Sequence, residues 1–318
     1  MTTRYRMVTV AAIVVGLGMA AAGCGRYSIG ALKAQKAYKD GNDLYKASQW
    51  ERAAEKYEYV LQQDPSRTEV YFFLANSYDN AYKPSRAGEP ENDVLIQKAI
   101  ENYRKSAELH PDAAMKTLAM QYLAAAYGSD KLNDPTQAEP VVLEMIQMAP
   151  NEPGPYFALA QIYEDAGRYE EAEQALIKAR DTNPGDVTVH VQLSGFYNRQ
   201  GEFDKTMESL HKAADLKPDD PQGHQLVAYY YWEKSYKDKT LPDAKEKEYI
   251  LKGIEATDRA MKLNPDYIEA ITYKGILLRM LGYLETNIPT RNELIKEAEA
   301  LQKRAMELTK QKTAGTTK

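Results

Sequence analysis

The chain has little cysteine, histidine, phenylalanine or tryptophan: of 318 residues, one is Cys, four are His, five are Phe and two are Trp. A lone Cys excludes an intramolecular disulfide and a cysteine-built zinc site. Four scattered His argue against a clustered histidine metal site. No excess of positive charge exists, with 41 Lys and Arg against 46 Asp and Glu and a formal net charge of −5. A general nucleic-acid binder needs a basic surface to meet phosphates, so nucleic acid is not an expected partner. Neither H-E-x-x-H nor G-x-S-x-G occurs, and a Gly-rich phosphate loop is also missing, because Gly16 and Gly18 lie in an N-terminal apolar run. These absences lead us to expect no catalytic activity, no cofactor and no metal. Tyr, by contrast, is abundant at 24 residues. A hydrophobic content of 43% with a mean hydropathy of −0.61 fits a folded, water-soluble body. Length alone would suggest about two domains of ~150 residues.

Arg4 and Arg6 precede an apolar run from Met7 to Ala22. A basic stretch followed by an apolar one is the pattern of a signal peptide. A membrane-spanning helix needs about 20 apolar residues, and this run is shorter and carries glycines. It closes as Ala21-Ala22-Gly23-Cys24, which places the only Cys directly after small residues. This resembles the lipobox of bacterial lipoproteins, with a plain secretory signal or anchor as the alternatives. The resemblance implies that residues 1–23 are removed and that Cys24 carries a diacylglycerol and palmitate-type acyl chains at the mature N-terminus. Loss of Arg4 and Arg6 would leave 39 basic against 46 acidic residues, a net charge of −7. Residues 24–33 are assigned to the anchored N-terminus and tether. Within them Gly25–Ser28 precede the first helical pattern and span about 14 Å at most. The Gly25 that follows the Cys leans toward the outer membrane, facing the periplasm, if the host has two membranes.

The rest of the chain repeats with a period near 34. Tyr156, Leu159, Tyr163, Gly167, Tyr169, Ala172, Leu176, Ala179 and Pro184 align with His190, Leu193, Tyr197, Gly201, Phe203, Thr206, Leu210, Ala213 and Pro218. Residues 34–67 fit the same frame through Gly41, Leu44, Ala53, Tyr57, Val60 and Pro65. This pattern resembles the tetratricopeptide repeat, a helix–turn–helix unit with small residues where its helices cross. The resemblance implies an all-α solenoid, a right-handed superhelix of antiparallel helix pairs. Seven units are expected at 34–67, 68–111, 112–150, 151–184, 185–218, 219–265 and 266–308, as one array. The insertions after Tyr82-Lys83 and Tyr236-Lys237 read as lengthened helix pairs with a polar loop at the tip, and Pro242-Asp243 as a helix start. The last unit fits least well, because Lys274 and Gln302 stand where apolar residues are expected. Residues 309–318 are polar and basic and are expected to be disordered.

His190 replaces an aromatic packing residue, and His110 sits at a helix end where a cation suits the dipole. The functional surface implied by the family is the groove built from the first helix of each unit. Its slots hold Tyr38, Asn42 and Tyr45; Phe72 and Asn76; Phe157 and Gln161; Asn198; and Gln225, Tyr229 and Trp232. Amides can bond the backbone of an extended peptide, and aromatics add rigid contact area with a polar tip. A clamp for C-terminal carboxylates, known in chaperone-binding relatives, would need Lys where Tyr38 and Phe72 stand. The reading that follows is a non-catalytic, lipid-anchored scaffold that binds protein or peptide segments during assembly of bacterial cell-envelope complexes. In plan it is like the repeat lipoproteins of barrel or pilus assembly. The alternative is a glycan-associated lipoprotein, acting on exopolysaccharide or peptidoglycan, whose groove aromatics stack on sugar rings.

Overall fold

The computed structural model describes residues 29–316. The signal segment and Cys24 lie outside the described residues. Among those described there are fourteen α-helices, one 3-10 turn and no strand. The helices follow one another as pairs: α1 (Ile29–Lys46) and α2 (Trp50–Gln63); α3 (Val70–Ala81) and α4 (Pro90–Leu109); α5 (Ala113–Tyr127) and α6 (Pro135–Met148); α7 (Pro153–Asp165) and α8 (Tyr169–Thr182). The series continues with α9 (Val187–Arg199) and α10 (Phe203–Leu216); α11 (Pro221–Lys237) and α12 (Asp243–Leu263); α13 (Ile268–Leu284) and α14 (Ile288–Thr316). The fold is the all-α helix-pair solenoid expected from the repeat.

The local signals sit at the helix ends. Asp112, Asp186 and Asp220 cap α5, α9 and α11 by accepting from backbone N–H groups of the first turn. Pro90, Pro135 and Pro221 open their helices, where a missing N–H costs nothing. The turn within four of the pairs uses a left-handed residue: Ser48 (φ 56), Asn133 (φ 49), Gly167 (φ 73) and Gly201 (φ 76).

Packing follows one small residue on each second helix. Ala53, Ala99, Ala138, Ala172, Thr206, Gly253 and Ala298 occupy this slot in turn, and all are buried. A side chain much larger than that of Thr206 would hold the crossing helices apart. At Gly253 even a methyl does not fit, since a Cβ there would come within 2.9 Å of Leu277 Cδ1. The insertions go into longer second helices, 20 residues in α4 and 21 in α12 against 14 in α2. The loop before α4 is tied by Asn92, whose side chain accepts from Lys83 N at 2.8 Å and donates to Lys83 O and Arg86 O at 3.0 Å.

Successive pairs are joined by a recurring device. A Tyr near the end of four first helices reaches back to a polar side chain on the preceding second helix. Tyr78 donates to Glu58, Tyr163 to Glu139 at 2.8 Å and Tyr197 to Glu173 at 2.8 Å. Tyr127 instead accepts from Arg104 at 2.7 Å. A cation then closes over three of these rings: Lys98 on Tyr78, Arg168 on Tyr163 and Lys205 on Tyr197, at 4.8, 4.2 and 4.8 Å from the ring centres. Burial, then the bonded carboxylate, pushes the hydroxyls of Tyr78 and Tyr197 up to about 12, so both remain neutral donors. Much of the Tyr content is therefore inter-repeat fastening.

The chain divides into two compact units where the repeat pattern led us to expect one array. One holds residues up to Pro150 together with Gln161–Arg168, and the other holds Asn151–Ala160 together with Tyr169 onward. Two boundaries expected from sequence are corrected. Residues 29–33, assigned to the tether, form the first turn of α1. Residues 309–316, expected to be disordered, continue α14. Their Lys, Gln and Ala residues favour helix, and a polar sequence suits an exposed helix as well as it suits a coil. Within this stretch Thr309 donates back to Ala305 O at 2.8 Å.

Candidate functional site

In the first unit the expected groove residues converge, but they bond mainly to one another. Tyr45 Oη donates to Asn76 Oδ1 at 2.5 Å, and Asn76 Nδ2 donates to Tyr103 Oη at 3.2 Å. Tyr103 in turn donates to Asp79 at 3.1 Å, and Asp79 pairs with Lys131. This chain of bonds links the first three repeats, from α1 through α3 and α4 to the loop after α5. Asn80 also donates to Asn76 Oδ1, at 2.9 Å. Asn76 is therefore buried with both its amide oxygen and its amide nitrogen bonded inside the fold. Burial and the Asp79 carboxylate push the Tyr103 hydroxyl far above its ordinary value, which holds it as a neutral donor.

Phe72 is likewise buried, edge-on to Phe73 and Tyr122. Asn42 accepts from Tyr57 Oη at 2.8 Å. Tyr38 lies under the Arg67 guanidinium, 4.8 Å from its ring centre. Tyr45 stands edge-on to Trp50 at 5.2 Å. Gln161 is exposed and donates to Asp165 at 2.7 Å.

The second unit leaves more surface open. Phe157, Asn198 and Gln225 are partly exposed, and the Asn198 and Gln225 side-chain amides bond to no described residue. Tyr229 donates to Glu233 at 3.1 Å. Burial and then the Glu233 charge raise its hydroxyl above the ordinary value. Around it, Tyr230, Trp232 and Tyr273 approach at 5.2, 5.7 and 5.7 Å. Tyr236 stacks on Trp232 with ring centres 5.5 Å apart and planes 15° from parallel. His190 is buried and bonded through Nε2 to Pro184 O at 3.0 Å, as a packing residue would be.

Sequence reasoning missed a cavity of about 750 Å³ beside this aromatic group. Trp232 and Tyr236 form one wall, with Ile276, Met280 and Tyr283 from α13 and Met306 from α14. Its floor includes the buried Ala298 and Ala305. The Trp232 Nε1 is buried and has no hydrogen-bond partner among the described residues. Apolar spacing on α13 could have pointed here, but the two mismatched residues of this repeat obscured it. Lys274 pairs with Asp258 at 2.8 Å and Glu297 at 3.3 Å, and Gln302 accepts from Arg279 at 2.9 Å. Burial pulls the Lys274 ammonium down, but bonds and charge from those two acids outweigh it and hold it above its ordinary value. Both mismatches are thus satisfied by partners distant in sequence.

Among the described residues no helix is long and apolar enough to cross a membrane, and no group of three His, Cys, Asp or Glu could hold a metal ion. The fold suits protein or peptide binding, since stacked helix pairs present extended surfaces of first-helix side chains.

No curated protein sequence matches the chain. Among solved structures, it is similar to the C-terminal part of a TPR repeat-containing protein from Cytophaga hutchinsonii. That match has 16% identity and a TM-score of 0.55, and covers 85% of this chain and 98% of that one. It is similar to MamA from Desulfovibrio magneticus at 18% identity and a TM-score of 0.44, over 58% and 96% of the two chains. YrrB, described as a TPR protein with an unusual peptide-binding site, matches at 19% identity and a TM-score of 0.39, over 57% and 86%. At such identities only the fold is shared, and of these three the Cytophaga structure is close enough to support it. Models of the tetratricopeptide repeat match residues 38–113, 131–186 and 165–229, together more than half of the sequence. With these matches lying on the observed helix pairs, the chain belongs to the tetratricopeptide repeat family.

Proposed function

We propose that this protein is a lipid-anchored adaptor of the bacterial cell envelope, tethered through Cys24, which captures protein segments and helps assemble a complex. The observation that carries the binding role is the open first-helix surface of the second unit. There Asn198 and Gln225 hold amides that bond to no described residue, and Gln225 shares α11 with the partly exposed Tyr229 and Trp232. Free amides match the donors and acceptors of a peptide backbone, and aromatic rings give contact area at little conformational cost. The anchoring role is supported by the small residues that lead into the only Cys. An anchor confines the adaptor to a surface and raises its effective concentration toward partners there. The outer membrane is the location we assign, from Gly25, in a host with two membranes.

Stacking on sugars is less well supported. The Trp232 face that a ring would need is covered by Tyr236. The test is site-specific photocrosslinking in cells from positions 198 and 225, combined with labelling by a fatty-acid analogue. Protein adducts from both positions, and label lost in Cys24→Ser, are expected. Adducts to glycan alone, or equal label on Cys24→Ser, would refute the respective half.

A further inference from the structure

The apolar cavity on α13 and α14 is lined by neither Asn198 nor Gln225, and it has its own chemistry. At the preceding junction the second helix gives such a face to the next first helix, α12 to α13. Here the same kind of face is open. Tyr283 is 72% exposed and Met306 55% exposed, although both are large and apolar. Clustered exposed side chains of this size mark interaction sites in proteins soluble enough to fold. The charge is equally specific. The polar lining includes Arg279 and Lys310 and not a single carboxylate, in a chain of net charge −5.

We infer that this cavity docks an amphipathic helix of a partner protein, with an apolar stripe facing Ile276, Tyr283 and Met306 and acidic residues facing Arg279 and Lys310. The lining on α13 runs from Thr272 to Tyr283, about three helical turns or ~17 Å, which is the length over which i, i+3, i+4 and i+7 anchors act. A second copy of this chain is a poorer occupant. The α1 helix, with its exposed Ile29 and Leu32, also carries Lys33, Lys36 and Lys39, which would face like charge. The inference rests on the reading of this chain as a partner-binding adaptor and names one site and one partner chemistry for it.

The probe is a synthetic 18-residue helical peptide with Leu at the anchor positions and Glu on both flanks, titrated against the full chain. A second peptide carries Lys in place of every Glu. With Trp50→Phe, Trp232 is the only indole left to report binding by fluorescence. The Glu peptide is expected to bind and to shift Trp232 emission. The Lys peptide should bind at least tenfold more weakly, as should the Glu peptide to Met306→Asp or to Lys310→Glu. Both positions are exposed, so the fold survives, which circular dichroism checks. Equal binding of the two peptides, no binding of the Glu peptide, or affinities unchanged in the variants would overturn the inference. So would a concentration-dependent dimer of the wild-type chain abolished by Met306→Asp, which gives the cavity to a second copy. Crosslinks from positions 198 and 225 that persist while the peptide fails would leave the adaptor standing and remove only this site.

Discussion

The buried Asp79–Lys131 pair gives the sharpest test of how the first unit is held. Asp79 is 7% exposed, and it receives the Tyr103 hydroxyl and the Lys131 ammonium. Lys131→Met keeps the length of the side chain and removes its charge, leaving a buried carboxylate with a single neutral donor. Breaking a buried pair in this way costs 3–5 kcal/mol, and the 24% exposure of the Lys131 side chain places this case at the lower end, about 3 kcal/mol. Asp79→Asn in the same chain removes the stranded charge and keeps an acceptor for Tyr103. The double variant should therefore lie within about 1 kcal/mol of wild type. The two Trp residues make the assay specific, since Trp50 lies in one unit and Trp232 in the other. In a Trp232→Phe background, urea unfolding followed by Trp50 fluorescence reports the first unit alone. At a slope of about 2 kcal/mol per molar, the Lys131→Met midpoint falls by about 1.5 M. A fall worth less than about 1 kcal/mol, or a double variant no more stable than the single, would refute the claim that the network is a buried electrostatic fastening.

Three other outcomes are expected. Glu173, held below its ordinary 4.5 because bonds to Lys205 and Tyr197 outweigh its burial, stabilises the fold above that value and loses the contribution as pH falls through its lower folded value. Glu173→Gln should therefore flatten the acid limb of the stability profile below pH 4.5 and cost no more than about 1 kcal/mol at neutral pH, read by thermal melts across pH. Gly253→Val should destabilise the second unit by at least 1–3 kcal/mol, read by Trp232 fluorescence in urea, because the new side chain meets Leu277. Lys274→Glu should destabilise α13 against α14 far more than Lys274→Met does, since it sets a third acid between Asp258 and Glu297; hydrogen exchange of the two helices would separate them.

Much of the fold is legible along the chain because its determinants are local. The Asp caps, the opening prolines and the residues of the left-handed turn act within a few positions of themselves. The small slot from Ala53 to Ala298 is also visible, since period and size are properties of sequence. The α14 extension was not legible, because polar residues suit an exposed helix and a coil alike. For the site, Asn42, Asn76 and Gln161 are equivalent by register. Nothing in the sequence shows that Asn76 is enclosed by Tyr45, Asn80 and Tyr103, residues up to 31 positions away. Lys274 and Gln302 misled in the opposite sense, because their partners lie on neighbouring helices.

By itself, then, the amino-acid sequence determined that the chain is built of helix pairs, where each pair turns, and that Tyr and small residues alternate through the stack. These follow from hydrophobic period, backbone preference and side-chain volume, which each residue carries with it. Tertiary structure alone decided which amides remain free, how the acids and bases pair, and that α11, α13 and α14 enclose an open apolar cavity. Those outcomes depend on which surfaces meet in space, and side chains equivalent by register separate into fastening and binding surface only when the helices are packed.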